Sequence, residues 1–316
     1  MASTAVPAPI QGGPLLGLNA ACQALTQFRQ KPLLVLYYPL SAPMTEDDLE
    51  DVYEALRAAG TTIENKLPSL DVLVESNGGN PVAGYRLAQL IRDFAADVSF
   101  LVADHAYSAA TLLCFSGNMV RLAHYAGLSP IDITLVSAEG RTPEESVELA
   151  NVDNFLEFAK KARETIEGML QRLGCSAART SVDSDLLVEM VRQVTALQVG
   201  KFFRERVLTG HYAEELLDSY MFPPFKDAED RRNRVVHHFL FAAPAHEFHI
   251  DYHLCQKWGL TVTEMPTAES DLAKGVVATL HGLASNNAIC PRLNRYSRLP
   301  FSKFYPYMAD AAQGAT

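Results

Sequence analysis

Apolar residues recur along this chain in two alternating rhythms. Short unbroken runs, Leu33–Tyr38 (LLVLYY), Asp71–Glu75 (DVLVE), Val98–Ala103 (VSFLVA) and Met119–Leu122, have the length and make-up of buried strands. Between them the apolar spacing widens to a helical period. Glu46–Ala59 reads as an acidic-fronted helix with Thr45 as its N-cap. A helix from Pro81 places Tyr85, Leu87, Leu90, Ile91 and Phe94 on one face, and a further apolar helix follows Ser108. Strand and helix alternate through short turns, the pattern of an α/β fold with its strands in one sheet.

Beyond Pro143 the helical rhythm takes over. Pro143–Leu173, Ser184–Leu208, Lys226–Phe241, Asp251–Trp258 and Ala268–Ala284 all carry it, so the C-terminal half is expected to be largely helical. The expected organisation is a flexible N-terminal arm over 1–30, a main domain over 31–265 that includes a helical extension, and a C-terminal helix with a basic, aromatic tail over 266–316.

Composition narrows the class. At 48% hydrophobic and 20% charged, the chain is neither disordered nor fibrous. Its net charge of -10 makes it a poor ligand for nucleic acid, so the Arg- and Tyr-rich stretch Cys290–Tyr307 is read as a tail docking on an acidic body. The five cysteines are scattered with no C-x-x-C pair, so neither a zinc site nor a disulfide framework is expected, and a reducing cytoplasm fits. The longest strongly apolar stretch, Pro32–Leu40, is too short to span a bilayer, and no membrane anchor is expected.

Two strand-to-helix turns stand in register: Ser76-Asn77-Gly78-Gly79-Asn80 and Ala106-Tyr107-Ser108-Ala109. In an open α/β sheet both fall at the carboxyl edge, where ligands bind. Glycine lets the backbone approach a reacting carbonyl closely. The amide of Gly78 or Gly79, with that of Ala109, can then form an oxyanion hole beside the Ser108 hydroxyl. The plainer reading is that Ser108 caps its helix.

The segments VLVESNGGNPVAGYRLAQLI, VSFLVADHAYSAATLLCF and AHYAGLSPIDI, in that order, resemble the Clp-protease/crotonase superfamily, and within it the serine dehydrogenase proteinase family, relatives of the signal peptide peptidases. A late histidine segment, Pro244–Ile250, followed by Trp258-Gly259-Leu260-Thr261-Val262, extends the resemblance over roughly 31–265. The resemblance implies a ββα-spiral core, self-assembly into a homo-oligomer, no cofactor and no metal. It also implies a serine peptidase acting on peptides or protein segments. Its Ser, Asp, His order maps onto Ser108 as nucleophile, Asp132 as orienting acid and His246 as base. The signal-peptide-peptidase relatives use a lysine instead, for which Lys160 and Lys161 are the candidates here.

Asn77 stands where the family has proline, and Ser116-Gly117-Asn118 replaces its usual Ala-x-Asp. Two rivals therefore stay open: a crotonase-type acyl-thioester enzyme and a catalytically silent scaffold of the same fold. Each neighbouring histidine also has a plain structural reading. His249 and His253, four apart, form a metal pair only if one helix carries both.

Overall fold

The computed structural model describes residues 14–39, 42–131, 134–135, 147–148, 196–222, 227–243, 245–285 and 305–309. In chain order the first elements are α1 (Pro14–Arg29), β1 (Leu33–Tyr37), α2 (Asp48–Ala58), β2 (Leu67–Ser76), α3 (Pro81–Phe94), β3 (Ala95–Ala106), α4 (Ala109–Cys114) and β4 (Met119–Leu122). They are followed by β5 (Gly127–Leu128), β6 (Thr134–Leu135), β7 (Val147–Glu148), α5 (Ala196–Leu216), α6 (Ala228–His237), α7 (Tyr252–Trp258), β8 (Val262–Glu264), α8 (Thr267–Ser285) and β9 (Tyr305–Ala309).

The molecule is an α/β protein with a helical C-terminal half, as the alternation of periods predicts. The main sheet runs β8-β4-β3-β2-β1-β9, with β5 pairing β3 beyond β4. Six strands are parallel and β9 alone runs antiparallel, on β1. β1 is buried along its whole length, and β2 from Leu70 onward, as expected of parallel strands covered on both faces. All four apolar runs read from the sequence are strands, and the Gly259-Leu260-Thr261-Val262 segment leads into β8 beside β4. β6 and β7 form a separate antiparallel pair.

The N-terminal arm expected over 1–30 is corrected for its second half. Residues 14–29 form α1, whose Leu18, Cys22 and Leu25, spaced i, i+4, i+7, are fully buried. A fork of charges fastens it: Arg29 Nε and Nη2 donate to the Asp71 carboxylate of β2 at 2.7 and 3.0 Å. Arg29 also lies 3.5 Å from Glu269 of α8, whose carboxylate accepts two bonds from Arg121 of β4 at 2.7 and 2.5 Å. Asp71 and Glu269 are each 1% exposed, so these pairs hold α1 and α8 against one face of the sheet.

One smaller expectation changes, and two points left open in the sequence are decided. Thr45 does not cap α2; the helix starts at Asp48, whose buried carboxylate accepts from the Thr45 amide at 2.7 Å. His249 precedes α7 rather than sharing a helix with His253, because Asp251 caps that helix by accepting from the Leu254 amide at 2.8 Å. Gly117 and Asn118 have a packing role. A Cβ on Gly117 would lie 2.7 Å from the Phe100 ring, while Asn118 Oδ1 accepts from Arg92 and from the Val98 amide. Of the described residues, no helix is long and apolar enough to cross a membrane.

Candidate active site

The two turns singled out in the sequence meet at the carboxyl edge of the sheet. β2 leads into Asn77-Gly78-Gly79 and α3, and β3 leads into Tyr107-Ser108 and α4. α3 starts cleanly because Asn80 Oδ1 accepts from the Val82 amide at 2.9 Å and Pro81 occupies the first turn. Gly78 and Gly79 have φ of 99° and 151°. A Cβ on Gly78 would lie 2.7 Å from both Ser108 Cβ and the Tyr107 carbonyl oxygen, so the turns touch through a gap that admits only hydrogen. The far side of Gly79 is covered by Met44. Met44 donates to the Gly78 carbonyl at 2.8 Å and accepts from the Asn80 amide at 2.9 Å.

Ser108 sits at φ 51°, ψ -116° and makes no side-chain cap bond to its helix. The capping explanation for this serine therefore fails. A non-glycine residue in this region stores about 1–3 kcal/mol of strain and persists only when its surroundings hold it. The strand–turn–helix setting, with a strained serine lining a cavity, has the backbone geometry described for nucleophile elbows.

The surroundings that hold it are polar and buried. The Ser108 amide donates to Ser129 Oγ at 2.8 Å. The Ser129 amide donates to Thr111 Oγ1 at 3.1 Å, and Thr111 Oγ1 donates to the Ala106 carbonyl at 2.6 Å. Ser129 and Thr111 are 1% and 0% exposed. The elbow is thus clamped on both sides of Tyr107, whose own amide donates to the Ser76 carbonyl at 2.9 Å. Both residues fall within the segments that carry the sequence resemblance, but nothing in the sequence marks their role, because a buried hydroxyl aimed at a backbone group leaves no periodic signal.

The amides around the elbow are not equivalent. That of Gly78 is used locally, donating to Ser76 Oγ at 2.9 Å. Those of Gly79 and Ala109 have no acceptor among the described residues. Both residues line a cavity of about 380 Å³ together with Ser108, Asn77, Asn80 and His246. The rest of its wall is mostly apolar: Pro43, Met44, Pro81, Leu112 and Ile131, with Thr45 and Thr209. Among the described residues, no carboxylate, lysine or arginine lies in this wall.

His246 is the histidine of the late cluster that reaches the cavity. The others are engaged elsewhere. His238 stacks on Trp258 at 4.8 Å, where burial, with nearby His237, Arg234 and Lys257, lowers its pKa. His253 packs against Tyr252, and His249 lies 3.2 Å from the Tyr107 hydroxyl. Of the two histidines nearer Ser108 in sequence, His124 pairs with Glu264 at 2.9 Å on the surface. His105 Nδ1 lies 2.7 Å from the buried Glu75 carboxylate. Burial lowers the His105 pKa, but the hydrogen bond and charge of Glu75, helped by Asp104, outweigh it and leave the pKa raised.

Glu75, Asp104 and His105 also bring one donor atom each within 4.8 Å of one another, and the Glu75–His105 separation is that of an ion pair. Asp132, Lys160 and Lys161 lie outside the described residues. The structure therefore brings Ser108, Gly79, Ala109 and His246 to one cavity, whereas Gly78 does not line it and packs against Ser108 and Tyr107 instead.

A scan against protein-family models finds no match for this chain, and a search of curated proteins finds none either.

Proposed function

We propose that the protein is a serine hydrolase of the Clp-protease/crotonase type, acting as a peptidase through an acyl-enzyme on Ser108. The observation that carries this reading is the strained, uncapped Ser108 beside two amides without acceptors in a cavity that His246 also lines. A serine used only for packing has no need of that conformation, and a cap would use its hydroxyl.

The chemistry follows from the groups present. His246 takes the Ser108 hydroxyl proton as Oγ attacks the substrate carbonyl carbon. The oxygen that becomes negative is met by the Gly79 and Ala109 amides, which are fixed by the folded backbone and so cost little reorganisation as charge develops. The protonated His246 then gives its proton to the leaving amine, and water repeats the sequence on the ester to regenerate the free serine. Asp132 is the proposed orienting acid for His246. The mostly apolar wall formed by the described residues supports a substrate with an apolar side chain beside the scissile bond. A crotonase-type enolate reaction needs a carboxylate to move protons, and the described cavity wall has none.

The test is labelling of the purified protein with a fluorophosphonate probe beside Ser108→Ala. Labelling that disappears in the variant is expected. A folded wild-type protein that takes no label overturns the proposal.

A further inference from the structure

The segment that carries His246 is tied to the residue adjacent to the nucleophile. The Tyr107 hydroxyl lies 3.2 Å from His249 Nδ1. The His249 ring rests on Gly127, where a Cβ would lie 2.5 Å from that same nitrogen. The next residue, Ile250, exchanges two backbone bonds with Leu128, at 2.9 and 3.0 Å. Gly127 and Leu128 form β5, which pairs with His105 and Ala106 of β3 immediately before the elbow. On its other side the Tyr107 ring packs on His105 at 4.8 Å, and His105 is held by Glu75. His246 itself lies inside a turn closed by a bond from the Phe248 amide to the Ala245 carbonyl at 3.1 Å, directly before this anchorage.

We infer that Tyr107 and His249 form a latch that positions His246 against Ser108. Both are then positioning residues for the reaction proposed above, on which this inference rests. The tie is suited to the task because it does not depend on the charge of His249. A neutral imidazole accepts the Tyr107 hydroxyl proton at Nδ1, and a protonated one donates to the phenol oxygen. It also explains why a bulky residue precedes the nucleophile while glycine sits at 127: one supplies the hydroxyl and the other makes room for the ring. A loop that bears the base needs such a fixture, since a displacement of about 1 Å in a reacting group costs about 100-fold in rate.

The experiment compares wild type, Tyr107→Phe, His249→Ala and the double variant by saturable fluorophosphonate labelling and by hydrogen–deuterium exchange of the 245–250 segment. The expected result is a fall of about 10- to 100-fold in the maximal labelling rate for each single variant. Probe affinity should hold, because neither residue lines the cavity. The double variant should be no slower than the slower single one, and exchange over 245–250 should quicken in each. Unchanged labelling in both singles, or penalties that multiply in the double, overturns the latch. A wild-type protein that takes no label removes the Ser108 reading instead. Exchange then decides the latch alone: faster exchange in Tyr107→Phe supports it, and unchanged exchange overturns it.

Discussion

Replacing Ser129 by alanine removes a single oxygen, and the structure says what that oxygen does. It accepts the Ser108 amide at 2.8 Å and donates to the Pro130 carbonyl at 3.1 Å, in a site 1% exposed. With the acceptor gone, the Ser108 N–H faces a choice. If the elbow stays, a buried donor is left unsatisfied at a cost of about 1–3 kcal/mol. If the elbow relaxes, the strain of about 1–3 kcal/mol stored at Ser108 is released and offsets that loss, but the hydroxyl leaves its poised position. The two terms are similar in size, so Ser129→Ala is expected to lower either stability or reactivity. Urea denaturation measures the first, and the second-order rate of fluorophosphonate labelling measures the second. Ser116→Ala is the control, because Ser116 is equally buried but, among the described residues, its hydroxyl bonds just the Leu113 carbonyl within its own turn, at 2.8 Å. If Ser129→Ala matches the control in stability and wild type in labelling, the clamp argument is wrong.

Three further outcomes follow from the same structure. Ser108→Gly should raise unfolding stability by about 1 kcal/mol, because glycine accepts the backbone conformation freely, while abolishing labelling; a loss of stability in urea would contradict the strain at this residue. Glu269→Ala strands Arg121 and removes one partner of Arg29, and should cost about 3–5 kcal/mol in a denaturant midpoint experiment. The raised pKa of His105 means that folding favours its protonated form. Its stabilising contribution is fully present below the unfolded value, about 6.5, and is lost as pH rises through the higher folded value. The stability gap between wild type and His105→Gln should therefore be wider at pH 6 than at pH 9, and a gap that widens upward would reverse the assignment.

Sequence alone carried the parts of this protein that rest on local chain chemistry. Buried parallel strands must be apolar on both faces, so LLVLYY and VSFLVA stand out without any partner in view. A turn that needs positive φ favours glycine, and a helix entry prefers asparagine then proline, so Gly78-Gly79-Asn80-Pro81 is legible as a strand-to-helix turn. The regular step from strand to helix placed that turn and Ser108 at one edge. α1 is not legible in the sequence because Pro14 and the glycines near it suggest an arm, and the helix packs on α8 and β9, far along the chain.

What tertiary structure decided was every choice among like residues. Five histidines crowd the late segment, and spacing does not say which of them turns to the cavity; the pairing of Ile250 with Leu128 does. Glycines 78 and 79 look alike in the sequence, yet one amide is taken by Ser76 Oγ and the other is left without an acceptor among the described residues. Ser129 and Thr111 read as ordinary polar residues until the fold buries their hydroxyls against the elbow. The division has a physical cause. Backbone conformation and burial period are dictated within a few residues, whereas a hydrogen bond between distant side chains exists only once the chain has closed around them.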